Sequence, residues 1–196
     1  LNLKFKSEKK SIHNEEGFLK GLKLKANRIK INKSNISRVM QIIQKTNQFN
    51  LRTIRYTERE IVNHVQNDKN MIFLVNLNDK YGDHGLVGLV ILKREKNIIF
   101  IDNIAVSCRV LGRYIEHWIM SEIIKIAKNL NVNFLLGEYI ITDRNVIVSD
   151  FYEKLKFKII NNNDTRLKSF KKKLKKNSKK YISQIKDIDC KYSAFY

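Results

Sequence analysis

The sequence predicts an α/β domain: a mixed, mostly antiparallel sheet with helices on both faces. Three observations carry that prediction. Two apolar runs, G-L-V-G-L-V-I-L at residues 85–92 and I-I-F-I-D-N-I-A-V at 98–106, flank the polar K-R-E-K-N and read as an antiparallel hairpin. Both runs are apolar at nearly every position, so both faces of the sheet need cover. Helix-period stripes stand before and after the hairpin, and a single core suits 196 residues with 43% hydrophobic content.

Taken in order, residues 1–13 are Lys-rich and without pattern, and 1–17 read as a linker or the end of an upstream domain. Residues 15–22 make a short helix, and L-K-L-K-A-N-R-I-K-I at 22–31 alternates as a half-buried strand. Ser34 offers an N-cap to a helix whose Ile36, Val39, Met40 and Ile43 face the core. T-N-Q-F-N at 46–50 reads as the loop ending it. T-E-R-E at 57–60 is a capping box opening a helix to about residue 67. A strand at 71–77 and a turn, Y-G-D-H at 81–84, lead into the hairpin. Ile115, Ile119, Ile123, Ile126 and Ala127 keep a helical stripe over 112–130. A strand at 131–141, a helix at 145–155 and a last strand at 157–160 close a domain spanning 18–162. Residues 163–196 read as a basic extension, with F-K-K-K-L-K-K-N-S-K-K either a solvated, partly disordered helix or a patch that docks an acidic partner surface.

A formal net charge of +20 ordinarily points to an anionic partner. Here Lys, Asn and Ile are heavily used and Pro is absent, a bias that AT-rich coding produces by itself. Residues 161–180 also hold nine Lys or Arg against one Asp. With no recognition motif beside the charge, nucleic-acid binding is not expected. No membrane span or secretory leader is present in the sequence, so a cytoplasmic protein is expected. Cys108 and Cys190 without CxxC spacing provide neither a metal site nor a disulfide framework. The first residue is Leu1, not Met, so a longer polypeptide is expected.

The chemistry should sit where the second hairpin strand stops. Arg109, Val110, Leu111, Gly112 and Arg113 lie between a buried strand and a helix, and resemble the pyrophosphate-binding loop of acetyltransferases, where backbone N–H groups meet a phosphate at a helix N-terminus. Arg113 and Tyr114 replace small residues of that pattern. F-Y-E-K-L-K-F at 151–157, after Asn145, is similar to the acetyltransferase segment in which an Asn and a Tyr face the pantetheine thiol, with Tyr152 as acid toward the leaving thiolate. Placing Leu92 opposite about Ile98 pairs His84 near Val106 and brings Cys108 diagonally beside it on the same face. Cys108, beside Arg109 and a His at the start of a helix, is then placed to act as a nucleophilic thiolate. Asp83 either orients the imidazole or makes the turn. Glu138, near the end of the next strand, is the other candidate base.

The element order is that of the Gcn5-related N-acetyltransferase (GNAT) fold. Five segments, Q-K-T-N-Q-F-N-L-R-T-I-R-Y-T, Y-G-D-H-G-L-V-G, S-C-R-V-L-G-R, G-E-Y-I and D-F-Y-E-K-L-K-F, together resemble the C-terminal half of FkbH-like proteins of the haloacid dehalogenase (HAD) superfamily, subfamily IIIC. The resemblance implies a GNAT-like acyltransferase domain, with a phosphatase-like half lying upstream or on another polypeptide. It also implies loading of a glyceryl-type acyl group onto the phosphopantetheine thiol of an acyl carrier protein in polyketide biosynthesis. Carrier-bound phosphopantetheine, or coenzyme A and acetyl-coenzyme A, would be the cofactor, with no metal in this domain. Two other readings stand: an acetyl-coenzyme A-dependent N-acetyltransferase using Glu138 through water, and a non-catalytic carrier-docking domain.

Overall fold

The computed structural model describes residues 14–170 and 172–196. The expected linker, 1–17, falls mostly outside them. Helix α1 (Glu15–Leu22) is followed by β1 (Lys25–Ile29), α2 (Ile36–Lys45), a two-residue strand β2 (Phe49–Asn50) and α3 (Glu58–Gln66). Then come β3 (Asn70–Asp79), β4 (Gly82–Glu95), β5 (Ile98–Val106), α4 (Ile115–Asn129), β6 (Phe134–Tyr139), α5 (Phe151–Lys154), β7 (Lys158–Ile160) and β8 (Lys179–Gln184). The sheet order is β1-β3-β4-β5-β6-β8-β7, with β2 also paired to β5. β5 and β6 form the parallel pair of an otherwise antiparallel sheet, connected through α4. Among the described residues no helix is long and apolar enough to cross a membrane.

Local chemistry fixes the elements much as the sequence suggests. The capping box is complete: the Thr57 hydroxyl accepts from the Glu60 N–H, and Glu60 reaches back to the Thr57 N–H at 2.7 Å. The start of α2 differs from expectation. Asn35, not Ser34, holds the N-cap position, because Ser34 is engaged in a turn on the Asn32 side chain.

Two layers cover the sheet. On one face Val39, Ile42 and Ile43 of α2, with Tyr56 and Ile61, pack on Leu74, Leu89, Ile91 and Ala105. On the other, Phe18, Leu19 and Leu22 of α1, Ile115, Ile119 and Ile123 of α4, and Phe151 and Leu155 pack on Val75, Val90, Leu92, Ile101 and Ile104. The β5 residues on that second face run Ile99, Ile101, then Ile104 and Val106, so the period-two pattern slips by one. The slip is a β-bulge: Ile91 faces Asn103 and Leu92 faces Ile101, leaving Asp102 as the extra residue.

Segment 163–196, expected as a separate basic extension, contributes to the fold itself. Its β8 lies between β6 and β7, and Leu167 and Phe170 cover Phe100 and Leu136. Tyr181 and Ile182 bury where the surrounding lysines suggested only solvated surface.

Gly137 on β6 is required by packing. A methyl group there would stand 2.3 Å from the Tyr152 ring, which lies over the strand and stacks on Tyr181 with centroids 5.0 Å apart. Gly137→Ala is therefore expected to cost about 1–3 kcal/mol by overpacking, read from urea unfolding. In a Tyr152→Leu background the same substitution should cost much less, and equal costs in both backgrounds would show that the ring is not the obstacle.

Candidate functional site

β5 and β6 run together only from the Ile98–Phe134 pair to the Ile101–Gly137 pair. Beyond that the strands separate, and the chain fills the gap itself. Phe49 and Asn50 pair with Val106 and Ala105, and Leu51 bridges both sides, its N–H meeting the Ile104 carbonyl at 3.4 Å and its carbonyl accepting from the Ile140 N–H at 2.9 Å. The expected loop 46–50 is thus partly strand. Its first residues are fastened by Asn50, which donates to the Thr46 carbonyl, and by the Arg55 guanidinium, which reaches the Ile43 and Thr46 carbonyls and the Asn47 side chain.

Beside this wedge, where β5 ends, lies an open cavity of about 420 Å³. Thr46, Asn47 and Gln48 form one wall, Val106, Ser107, Cys108 and Arg109 another, and Arg38 and Lys45 of α2 a third. Cys108 is an exposed free thiol here. It opens a single 3-10 turn, Cys108–Val110, and α4 begins only at Ile115, so the thiol is not at that helix's N-terminus as expected.

His84 does not join Cys108. The hairpin register places Gly88, not His84, opposite Val106, because Leu92 faces Ile101 rather than Ile98. A longer β4 and the bulge at Asp102 account for the displacement. The His84 ring is buried, with Nε2 2.9 Å from Asp79 Oδ2 but off the angle of a well-formed hydrogen bond. Among the described residues no hydrogen bond links it to Cys108. Asp83 takes the turn role, accepting from the Gly85 N–H at 2.7 Å.

The segment from Arg109 to Arg113 separates its two arginines. Arg109 is exposed and donates to the His84 and Leu86 carbonyls at 2.7 and 3.2 Å. Arg113 is fully buried, its Nε 2.7 Å from Asp79. Val110 is buried, Leu111 packs against the core, and Gly112 takes φ +83°, the left-handed conformation its lack of Cβ permits. Burial alone would raise the Asp79 carboxyl, but Arg113, His84 and the Tyr81 N–H together hold it below its ordinary value. The C-terminal residues close over this turn: Tyr196 donates to the Arg113 carbonyl at 2.8 Å, and Tyr192 stacks on Tyr114 at 4.0 Å.

The remaining candidates are structural in their contacts. Glu138 is fully buried, 2.6 Å from Arg52 Nε, and accepts from the Lys175 N–H and the Ser178 hydroxyl. A carboxylate so enclosed is not free to take a proton from a substrate. Tyr152 packs among Phe151, Phe157 and Tyr181, and burial first of all pushes its phenol well above the ordinary range. Asn145 donates to the Asn50 and Ile140 carbonyls, both at 2.9 Å, and accepts from the Thr142 N–H, tying β2 to the end of β6. Among the described residues no three His, Cys, Asp or Glu side chains group as metal ligands.

The dominant polar feature, absent from the sequence reading, is Arg52. Its buried guanidinium joins Glu138 to the side chain of Asp102, donates to the Asp102 and Lys173 carbonyls at 3.0 and 2.6 Å, and sits 4.9 Å over the Phe100 ring. Lys93 and the Tyr56 hydroxyl complete Asp102 at 2.7 and 2.6 Å. A charged residue interrupting I-I-F-I-D-N-I-A-V was the available signal, since a buried carboxylate demands a partner. Burial opposes ionisation of Asp102, yet Arg52, Lys93 and Tyr56 keep its carboxyl below the ordinary value.

Arg52→Met should therefore cost roughly 3–5 kcal/mol at neutral pH, by leaving Glu138 without its ion-pair partner and Asp102 with Lys93 alone. A depressed folded-state value means that Asp102 stabilises the fold above its unfolded pKa, about 4, and that this contribution is lost as the pH falls through the folded value. The Arg52→Met deficit should shrink on acidification, because protonation then relieves the stranded charge. Urea midpoints from pH 7 to pH 3 check this; a deficit constant across that range contradicts it.

No family model matches the chain, and no curated protein sequence does. Solved structures do. A GNAT-family acetyltransferase from Staphylococcus aureus Mu50 aligns over 82% of this chain and 99% of its own, with TM-score 0.61 and 18% identity. The PaiA N-acetyltransferase of Thermoplasma acidophilum, solved with coenzyme A, aligns over 82% and 99% with TM-score 0.60 and 11% identity. The ribosomal-protein-S18-alanine N-acetyltransferase of Escherichia coli aligns over 82% and 94%, with TM-score 0.57 and 12% identity. The chain has the GNAT acetyltransferase fold.

Proposed function

We infer that this chain is an acyltransferase that takes its acyl group from a phosphopantetheine thioester, and that transfer takes place in the cavity beside Cys108. The observation that carries the reading is the exposed thiol in an open cavity at the end of β5, in a domain of acetyltransferase fold. In the simplest form acetyl-coenzyme A is the donor and an amine the acceptor, a reading favoured by the solved N-acetyltransferases of the same fold. Glu138 does not serve as its base, being enclosed by Arg52, Lys175 and Ser178.

The narrower reading follows from the FkbH-like segments: a glyceryl-type group passes to the phosphopantetheine thiol of an acyl carrier protein, with a HAD-type phosphatase as partner. In that version the donor is a separate glyceryl pantetheine thioester, and Cys108 Sγ attacks its carbonyl. A new C–S bond forms, the old one breaks, and the thiol proton leaves with the pantetheine sulfur. Attack by the acceptor thiol reverses the exchange and returns a proton to Cys108. Bond types are conserved throughout, so no further reactant is required. His84, lodged against Asp79, takes no part; Asn145 holds the Asn50 carbonyl beside β5, and Tyr152 packs in the core.

Intact-protein mass spectrometry separates these versions. Incubation with acetyl-coenzyme A or glyceryl-loaded carrier protein should add one acyl mass to wild type and none to Cys108→Ala, and hydroxylamine should remove it. Turnover on an amine with full activity in Cys108→Ala would establish direct transfer and exclude the covalent step. Failure to bind coenzyme A, phosphopantetheine or loaded carrier would overturn the acyltransferase reading; binding of carrier protein without transfer would leave a docking domain.

A further inference from the structure

Three cations line the cavity without a carboxylate between them. Arg38 donates through Nε and Nη2 to the Leu86 carbonyl at 3.2 and 2.8 Å, and Arg109 donates to the same carbonyl at 3.2 Å. Two guanidinium groups thus converge on one oxygen and are held side by side against their mutual repulsion. Arg38 also meets Gln41 at 3.0 Å, and Arg109 meets the His84 carbonyl at 2.7 Å. All these partners are neutral, and a neutral carbonyl orients a guanidinium without compensating its charge. Lys45, about two helical turns further along α2, lines the same cavity and is exposed. No ion pair among the described residues involves any of the three. Asn47 and Gln48 add amide donors on the facing wall. Burial first, and then the neighbouring Arg109, lower the Arg38 pKa, as expected for a cation that lacks an anionic partner.

We propose that Arg38, Arg109 and Lys45 form an oxyanion-binding subsite next to Cys108, so that one of the two molecules meeting in this cavity carries a phosphate or carboxylate seated on the paired guanidinium groups. Two planar forks held side by side suit an oxyanion able to accept several N–H donors at once. The shared chemistry admits two sources: the phosphate of the pantetheine arm, or an anionic group on the acceptor. The subsite deepens the acyltransfer reading, since it names the charge of a substrate, but its existence does not require turnover.

Alkylation of Cys108 tests it without activity. Iodoacetate carries the charge that the subsite should attract, iodoacetamide does not, and Cys190 is an internal reference on the same chain. Rates are read by peptide mass spectrometry on the full chain. The iodoacetate-to-iodoacetamide rate ratio at Cys108 should exceed that at Cys190 by roughly threefold or more at low salt and fall as salt screens the cations. Inorganic phosphate should protect Cys108. Lys45→Gln, which removes no internal hydrogen bond, should lower the ratio, and Arg38→Gln should lower it further. Protection by 4′-phosphopantetheine at far lower concentration than by phosphate or unphosphorylated pantetheine assigns the subsite to the donor. Protection by phosphate with no gain from the pantetheine portion assigns it to the acceptor. A ratio equal to that of Cys190, unmoved by Lys45→Gln and by phosphate, overturns the proposal. If acyl transfer is never detected while the alkylation ratio behaves as described, the oxyanion subsite stands and the acyltransfer reading falls.

Discussion

The buried guanidinium of Arg52 is the constraint on which the rest of the site depends. It joins four parts of the chain: the segment after β2, the bulge of β5, the end of β6 and the loop preceding β8. Two cations, the buried Arg52 and the partly buried Lys93, face two buried carboxylates, Asp102 and Glu138, so the cluster is neutral as a whole. Hydrogen bonds from Tyr56, Ser178 and the Lys175 N–H satisfy the remaining carboxylate oxygens. Such a cluster contributes little net stability compared with apolar packing, yet it is costly to leave incomplete. Its effect is to make one arrangement of β2, β6 and the 173–178 loop far better than its alternatives.

That arrangement decides where chemistry can occur. Where β5 and β6 part, their inner edges expose backbone groups that an extended ligand rich in amides could have used. Residues 49–51 use them instead, and Asn145 locks the wedge from the β6 side. A ligand reaching the end of β5 is directed to the outer side of the wedge, into the cavity of Cys108. A second buried acidic centre lies across the sheet edge, where Asp79 takes Arg113 and His84. The two centres absorb Glu138, His84 and Arg113, three residues whose chemical types suggested function. What stays open to solvent at the end of β5 is a thiol, two amides and cations.

Features set by neighbours in sequence were legible in the sequence. The Thr57 capping box, the core face of α2 and the two apolar runs of the hairpin are read from residues close together in sequence. Features set by long-range accounting were less so. The hairpin register was misplaced because apolar side chains at nearly every position of β4 and β5 make every register hydrophobic, leaving only Asp102 to mark the bulge. β8 went unread because Tyr181 and Ile182 are a brief apolar interval among lysines. Their burial depends on the edge of β6, 40 or more residues away in the chain. Glu138 and Tyr152 carried the right residue types for acid–base work, but availability is a property of the surroundings, and the 173–181 segment supplies those surroundings.

The same distinction governs the reading of charge. A formal charge of +20 on this chain says little, since Lys enrichment accompanies Asn and Ile enrichment throughout. Position is more informative than number. Arg52 and Arg113 are buried, and each has a carboxylate within ion-pair distance, so they are parts of the frame. Lysines such as Lys125 and Lys154 reach acidic neighbours on the surface, where pairing contributes little. Arg38 and Arg109 belong to neither class. The fold spends backbone carbonyls on holding them together and leaves their charge uncompensated beside the thiol of the cavity. Holding like charges together is unfavourable in the unliganded protein, and an incoming oxyanion converts that repulsion into attraction at the place where its acyl chemistry would occur.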